Sequence, residues 1–294
     1  KPVGKKRVYD VLRSECYDIC PDDPWVHGPR LSRTALTGEL MAKRARFGEV
    51  VEEMGLTDTW LFRNLLWSDF CNSVLPRTAQ IAKAQALARK SRKGWGSKNS
   101  RALSRHLRGD AKDLKRAGSG LERVWWVPIL ARGKLHVEVL EADFPGEEPK
   151  AVDAWVAAVR KGVNVRFQGR NKPVVLLLDR GRAFYNTVTG KITAEFRSAL
   201  RGTGLRTFWG QDAHEQPGTC ADLLLHETAI SWIRYQLAQI VPKTPWCETR
   251  DEYAARLRRC VATVNSENDV EGLCRQLPRR LAELREKEGD RLRH

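Results

Sequence analysis

The sequence predicts a mixed α/β fold in which helices pack on a sheet, and three observations support it. Two strand-like runs, residues 123–130 and 134–140, are separated at hairpin spacing by Arg132 and Gly133. The continuous apolar run at residues 173–178 is typical of a central strand that is buried on both faces. Helical and strand-like segments alternate after these runs, as they do in domains whose helices cover a sheet.

The N-terminal part of this fold is predicted to contain one long helix and one short strand. Apolar residues recur at helical spacing after Thr37, which is the expected N-cap, and Gly55 is the expected stop. The short apolar run at residues 65–67 is typical of a buried strand, and Asp69 follows it closely. We therefore expect an aspartate at the end of a strand.

The remaining elements lie on both sides of the apolar run that ends at Asp179. In chain order we predict an amphipathic helix at residues 152–163, a helix at 192–200, a short strand at 205–208, a helix at 221–240, and two helices within 249–286 with a break near Gly272. This order of elements describes one mixed sheet with helices around it, followed by additional C-terminal helices.

The chain is long enough for about two domains of ordinary size or one large domain with extensions, and its charge indicates a polyanionic partner. Its 294 residues include 52 lysines and arginines against 36 aspartates and glutamates, which gives a formal net charge of +16. Nucleic acid is the commonest partner of so basic a protein. No apolar run approaches the ~20 residues that a membrane-spanning helix needs, so we expect no membrane partner.

Much of the positive charge lies in one stretch, residues 77–118, which contains thirteen lysines and arginines and only two aspartates. Such a density predicts contact with the phosphate backbone of double-stranded DNA, because basic side chains replace the counterions of the phosphates. A solvated helical face is the alternative interpretation. The residues that we expect to contact DNA are Arg89, Lys90, Arg92, Lys93, Lys98, Arg101 and Arg105.

The cysteines indicate a reducing compartment. There are seven of them, widely scattered and without a Cys-x-x-Cys pair, which is not the pattern of a disulfide framework. Together with the expected DNA partner, this favours the nucleus, or the cytoplasm and nucleoid if the host is bacterial.

Three carboxylates are candidates for a metal site. Asp69 and Asp179 each follow an apolar strand, and ligands of α/β sheets gather at the carboxyl ends of the strands. Two such charges side by side are unfavourable unless a cation lies between them. Glu227, on the predicted helix 221–240, would complete the site, although each aspartate taken alone is also typical of a turn or an N-cap. Oxygen ligands suit Mg²⁺ or Mn²⁺, and two such ions about 4 Å apart act on phosphodiesters.

From about residue 30 to the end, the sequence resembles the catalytic part of transposases of the Tc1/mariner superfamily. The segment Ala221-Asp222-Leu223, with Glu227 five residues after Asp222, is similar to the family signature Pro-Asp-Leu-Asn-Pro-Ile-Glu. The matching segments, in chain order, are Leu36-Thr37, Lys43–Phe47, Trp60, Leu65–Phe70, Arg123–Val127 with Gly133-Lys134, Val174–Asp179, Ala221–Leu223 with Glu227 and Trp232, and Cys274–Leu281 with Gly289.

The resemblance implies an RNase H-like mixed sheet with helices on both faces, plus additional C-terminal helices at 249–290. It implies a triad of Asp69, Asp179 and Glu227 that holds two Mg²⁺ or Mn²⁺ ions and performs cut-and-paste transposition into a TA target. It further implies a homodimer in the synaptic complex that joins transposon ends and target DNA. The expected domains are a remnant of a DNA-binding region and linker at residues 1–35 and a catalytic domain at 36–294, with a basic insertion at 77–120.

The sequence departs from the family pattern near each aspartate. Phe70 follows the first aspartate where the family usually has a glutamate, and Arg180 follows the second. The 47 residues between Asp179 and Glu227 are more than the family usually has, which leaves Glu215 as a rival third carboxylate. These departures leave two other functions open: a catalytically inactive, domesticated DNA-binding protein, or an RNase H-like nuclease.

His226 lies directly before Glu227. Adjacent positions on a helix diverge by about 100°, so we expect His226 to be a packing residue that does not share the metal of Glu227.

Overall fold

The structure is a computed structural model, which describes residues 25–29, 36–79, 82, 93–97, 121–141, 151–167, 172–179, 181–186, 188–210, 216, 220 and 223–292. The chain divides into two compact units, one of residues 1–35, 75–122 and 244–247 and the other of residues 36–74, 123–243 and 248–294. The division of the sequence into a remnant at 1–35 and a catalytic domain at 36–294 stays a prediction.

The strands are β1 (Trp25–Pro29), β2 (Leu65–Ser68), β3 (Cys71–Pro76), β4 (Lys93–Ser97), β5 (Leu121–Ala131), β6 (Lys134–Val139), β7 (Val175–Leu177) and β8 (Arg206–Thr207). The helices are α1 (Gly38–Glu53), α2 (Asp58–Asn64), α3 (Val152–Arg166), α4 (Ala194–Leu200), α5 (Leu225–Gln239), α6 (Arg250–Glu267), α7 (Val270–Cys274) and α8 (Leu277–Glu286). Within the described ranges, no helix has the length and apolar character that crossing a bilayer requires.

In the first unit, β1 and β4 form a two-stranded antiparallel sheet in which the backbone of His27 lies opposite that of Trp95. The sequence pattern did not predict this pair, because glycines break the basic stretch that contains β4. The backbone of Lys93 begins β4. The other six residues expected to contact DNA lie outside the described residues.

The second unit is built on a mixed sheet, which confirms the predicted α/β class. Its strand order is β3-β5-β2-β7-β8, and β6 also pairs with β5. The hairpin of β5 and β6 is antiparallel, as is the pair of β5 and β2, whereas β2, β7 and β8 run parallel. Arg132 and Gly133 make the hairpin turn with φ angles of 47° and 70°, the left-handed conformation that two-residue hairpins require.

Helices lie on both faces of this sheet, as predicted. The core on one face joins Trp125 and Ile129 of β5, Leu176 of β7 and Trp155 of α3, with Phe196 of α4 packed beside them. The helix α6 contacts strand β6 through the Asn265 side chain, which makes the two backbone hydrogen bonds that a neighbouring strand would make. Its Oδ1 accepts from Leu135 N at 2.9 Å, and its Nδ2 donates to Leu135 O at 2.8 Å.

Capping residues set most helix boundaries. Thr37 accepts from Leu40 N and begins α1, which ends before Gly55 at a φ of +63°. The helix α5 begins at Leu225, and the described residues 223 and 224 before it are not helical. The predicted start near residue 221 is therefore wrong. The C-terminal region contains three helices and not two, because Asp269 accepts from Gly272 N and begins α7 where a break was expected. The short helix α2 was not predicted.

The C-terminal segment packs on the first helix of the unit. The guanidinium of Arg44 is buried and donates to the carbonyl oxygen of Gly289 at 2.7 Å. Gly289 has a φ of +84°, and a Cβ there would lie 1.9 Å from the carbonyl oxygen of Met41. Glycine therefore allows the chain after α8 to approach α1 closely.

Candidate metal centre

The two aspartates follow neighbouring parallel strands. In the pairing of β2 with β7, Trp67 lies opposite Leu177. Asp69 and Asp179 each come two residues after this pair, so both emerge at the same edge of the sheet. The ends of parallel strands are where α/β folds bind ligands.

The backbone of Asp69 is fixed by the core beneath it. The indole nitrogen of Trp155 donates to the Asp69 carbonyl oxygen at 3.0 Å. The Asp69 carboxylate is half-buried and accepts from the Phe70 amide at 2.7 Å. The chain turns at this point into β3, and the side chain is left at the end of the sheet.

Asp179 lies on a more exposed turn that is fixed from two directions. Its carboxylate accepts from the Gly181 amide at 3.1 Å, and a Cβ on Gly181 would lie 3.0 Å from the same oxygen. Immediately before it, the carbonyl oxygen of Leu178 accepts a hydrogen bond from the side-chain amide of the buried Gln216. The indole of Trp209 in turn donates to Gln216 Oε1 at 2.6 Å.

The first turn of α5 brings His226 and Glu227 to the same place. One ligand atom each from Asp69, His226 and Glu227 lies within 4.8 Å of the other two. Among the described residues Asp179 is not a member of this close group, but its charge acts on both His226 and Glu227. The structure thus brings Asp69 and Glu227 together and places Asp179 beside them.

Burial and the two neighbouring aspartates raise the proton affinity of Glu227. Burial raises the pKa of Glu227, the charge of Asp69 raises it further, and Arg234 opposes both effects. Burial and then Asp69 also raise the pKa of the nearby Cys71 thiol well above its usual value. A divalent cation bound here would offset the repulsion between these negative charges.

His226 is a member of the centre that the sequence did not reveal. Its ring is buried, and burial lowers its pKa to about 4 although Asp179 acts in the opposite direction, so the ring is neutral at pH 7. Its burial agrees with a packing residue, but one of its ring nitrogens and a carboxylate oxygen of Glu227 lie within 4.8 Å of each other, although adjacent positions diverge around the helix axis. Side chains tilt toward the N-terminus of a helix, so residues of a first turn can reach a common point beyond the helix end.

The donor set fits a divalent cation. Two carboxylates and a neutral imidazole are ordinary ligands of such ions. The Nδ1 atom of His226 is buried and has no hydrogen-bond partner among the described residues, which is costly unless something else binds it. The assignment of Asp69, Asp179 and Glu227 as the metal ligands stays a prediction, and the rival Glu215 lies outside the described residues.

Comparison with known proteins identifies the fold. No family model and no curated protein matches the sequence. Among solved structures, the Mos1 transposase catalytic domain bound to raltegravir and Mn is 11% identical, with a TM-score of 0.53 over 89% of this chain and 100% of that one. This chain has the fold of a mariner transposase catalytic domain.

Two complexes of the Mos1 mariner transposase are similar to a greater share of this chain. The paired-end complex with Mn is 12% identical, with a TM-score of 0.56, and covers 99% of this chain and 72% of that one. The strand transfer complex is 12% identical, with a TM-score of 0.54 and the same coverage. The parallel strands β2 and β7, which Asp69 and Asp179 follow, belong to this RNase H-like mixed sheet.

Proposed function

We propose that this protein is a DNA transposase that cleaves transposon ends and joins the freed 3′-OH strand to target DNA. The observation that carries the proposal is the convergence of Asp69, Glu227 and His226 at the end of two parallel strands, with Asp179 beside them. The mariner fold supports it, because solved structures with that fold include a paired-end complex and a strand transfer complex of a transposase.

Each of the three carboxylates would have a distinct task at a metal site. Asp69 has a backbone fixed by Trp155 and would be the rigid ligand between the other two. Asp179 lies on an exposed turn and would hold its ion on the side open to DNA. Glu227 extends from α5 and would close the site from the helix. Two Mg²⁺ or Mn²⁺ ions, when bound, supply activation of water or of the 3′-OH and stabilisation of the leaving oxygen.

Phe70, the residue that departs from the family pattern after Asp69, packs on the core. The Phe70 ring stacks on Trp125, with 4.6 Å between the ring centroids and an interplanar angle of 19°. We infer that Phe70 contributes packing beside Asp69, while carboxylate oxygens of Asp69 and Glu227 lie within 4.8 Å of each other.

The substrate we propose is double-stranded DNA, first at the transposon ends and then at a TA target. The basic stretch at residues 77–118 would hold the phosphate backbone in register while contributing little sequence specificity. Two copies of the chain would act together in a synaptic complex. The reaction would occur where the host keeps its DNA, in the nucleus or in a bacterial nucleoid.

The test compares Asp179→Asn and Glu227→Gln with Asp153→Asn, a matched change of an exposed aspartate in the first turn of α3. We expect both site variants to bind transposon-end DNA normally and to lose at least about a hundredfold in Mg²⁺-dependent cleavage and joining. The control should keep wild-type rates of both reactions. Full cleavage by either site variant would contradict the proposal.

The same assay separates the two other functions. Cleavage by the wild-type protein without any joining of 3′ ends to a second DNA would indicate a nuclease. DNA binding without cleavage, in either Mg²⁺ or Mn²⁺, would indicate an inactive DNA-binding protein. Sequencing of joined products tests the proposed TA target.

A further inference from the structure

A histidine ring lies where the proposed catalytic ions would bind. One ring nitrogen of His226 is within 4.8 Å of a carboxylate oxygen of Asp69 and of Glu227. The ring is 1% exposed, and its Nδ1 atom has no hydrogen-bond partner in the part of the chain that the structure describes. Buried polar atoms are rarely left without a partner, so this ring has a bonding capacity that its described neighbours do not fill.

We propose that His226 is a metal ligand, which makes this centre a mixed nitrogen and oxygen site that prefers Mn²⁺ to Mg²⁺. The inference rests on the proposed metal site and adds a nitrogen ligand to its carboxylates. A neutral imidazole binds first-row transition metals well, whereas Mg²⁺ takes oxygen ligands almost exclusively. A nitrogen ligand therefore increases the affinity for Mn²⁺ more than the affinity for Mg²⁺.

The helix that carries His226 keeps the ring in place. Leu225, Ala229, Ile230 and Ile233 of α5 are all buried, so the first turn of the helix cannot turn away without exposing apolar surface. Glu227 is the next residue on the same turn. A ligand on such a rigid element needs little reorganisation when an ion binds.

The test measures nitrogen coordination directly in the full-length protein loaded with Mn²⁺. Electron spin echo spectra of bound Mn²⁺ should show modulation from ¹⁴N in the wild-type protein and in His136→Gln, and none in His226→Leu. His136 is a suitable control because it lies on β6, where its ring contacts Glu138. When the wild-type protein is grown with ¹⁵N-labelled histidine, the ¹⁴N modulation should give way to modulation from ¹⁵N. This labelling identifies a histidine ligand even if the Leu variant does not fold.

Titration of the protein with Mn²⁺ and with Mg²⁺ gives a second test of nitrogen coordination. We expect His226→Leu to bind Mn²⁺ at least about tenfold more weakly than wild type, and to bind Mg²⁺ with nearly unchanged affinity. The ratio of Mn²⁺ to Mg²⁺ affinity should fall by the same factor. Glu227→Gln should weaken the binding of both ions.

The outcomes separate this inference from the proposed function. If Mn²⁺ binds, Glu227→Gln abolishes that binding, and the wild-type protein shows no nitrogen modulation, then His226 is a buried packing residue and the inference is wrong while the metal site stands. If Mn²⁺ binding is absent or insensitive to Glu227→Gln, the proposed metal site itself is wrong.

Discussion

The indole nitrogen of Trp155 donates a hydrogen bond to the backbone carbonyl oxygen of Asp69 at 3.0 Å. The same indole packs against Phe184, with 4.7 Å between the ring centroids, and Phe184 lies in the turn that follows Asp179. One core side chain of α3 therefore contacts both segments that carry the aspartates. The geometry of the candidate centre depends on packing below the sheet end as well as on the carboxylates themselves.

Replacing Trp155 with Phe removes the donor and leaves the Asp69 carbonyl oxygen without that bond. We expect the free energy of unfolding to fall by about 0.5–1.5 kcal/mol for the lost hydrogen bond, and further for the lost ring volume. We also expect DNA cleavage to slow more than DNA binding weakens. Urea unfolding and single-turnover cleavage measure the two effects, and Trp60→Phe on the half-buried face of α2 is the control. Equal effects of both variants would contradict the positioning role of Trp155.

Gln216 accepts a hydrogen bond from Trp209 and donates one to Leu178, the residue before Asp179. A double-mutant cycle can measure the interaction energy between Gln216 and Trp209. We expect Gln216→Leu and Trp209→Phe each to destabilise the protein, because each removes the hydrogen bond between the two side chains. The double variant should cost less than the sum, with a coupling energy of about 0.5–3 kcal/mol. Chemical denaturation of the four proteins gives this value, and strictly additive effects would show that the hydrogen bond is not formed.

The close approach of the C-terminal segment to α1 predicts different costs for two alanine substitutions. Gly202 and Gly289 have φ angles of +70° and +84°, but a Cβ at Gly202 meets nothing within 4 Å. Gly202→Ala should therefore cost only the left-handed strain, about 1–2 kcal/mol. Gly289→Ala should cost at least about 1–3 kcal/mol more, because the new methyl group meets the carbonyl of Met41. Equal losses in urea unfolding would mean that the segment does not pack on α1.

The buried carboxylate of Glu138 predicts a pH dependence of stability. Burial raises its pKa, but hydrogen bonds from His136 and Lys161 outweigh burial, and the net effect is a lowered pKa. A lowered pKa means that Glu138 stabilises the fold above the pKa of the unfolded chain, about 4.3, and that this contribution is lost as the pH falls through the folded value.

We therefore expect Glu138→Gln to be about 2 kcal/mol less stable than wild type at pH 7, and the difference to shrink below about pH 4. Urea unfolding between pH 3 and pH 7 measures it, with the exposed Glu195→Gln of α4 as the control. A difference that stays constant over this pH range would show that the charge of Glu138 does not contribute.

The sequence predicted those elements that a pattern of a few neighbouring residues specifies. The apolar run that contains β7, the Arg132-Gly133 turn and the Thr37 cap each carry their structural information within a few residues. The run at residues 65–67 likewise forms β2, and parallel pairing of β2 with β7 follows from the fold class. This is why the proximity of Asp69 and Asp179 could be expected before any coordinates.

The sequence did not predict features that depend on tertiary contacts. The strands β1 and β4 pair across more than sixty intervening residues, and the glycines of β4 conceal its strand character. The place of His226 depends on where α5 begins, and Leu225 begins it without a side-chain cap that a reader of the sequence could recognise. The side chains of adjacent helix residues were expected to point in different directions around the helix axis. In the first turn, however, side chains also tilt toward the N-terminus, so those of His226 and Glu227 can approach a common point beyond the helix end.

The most direct test of this account is the location of Mn²⁺ in crystals of the full chain, measured by anomalous scattering. We expect a peak at coordination distance from the carboxylates of Asp69 and Glu227, with His226 beside it and Asp179 on its open side. Ordered side chains at these positions without such a peak, or Mn²⁺ bound only elsewhere on the protein, would contradict the proposed metal-dependent chemistry.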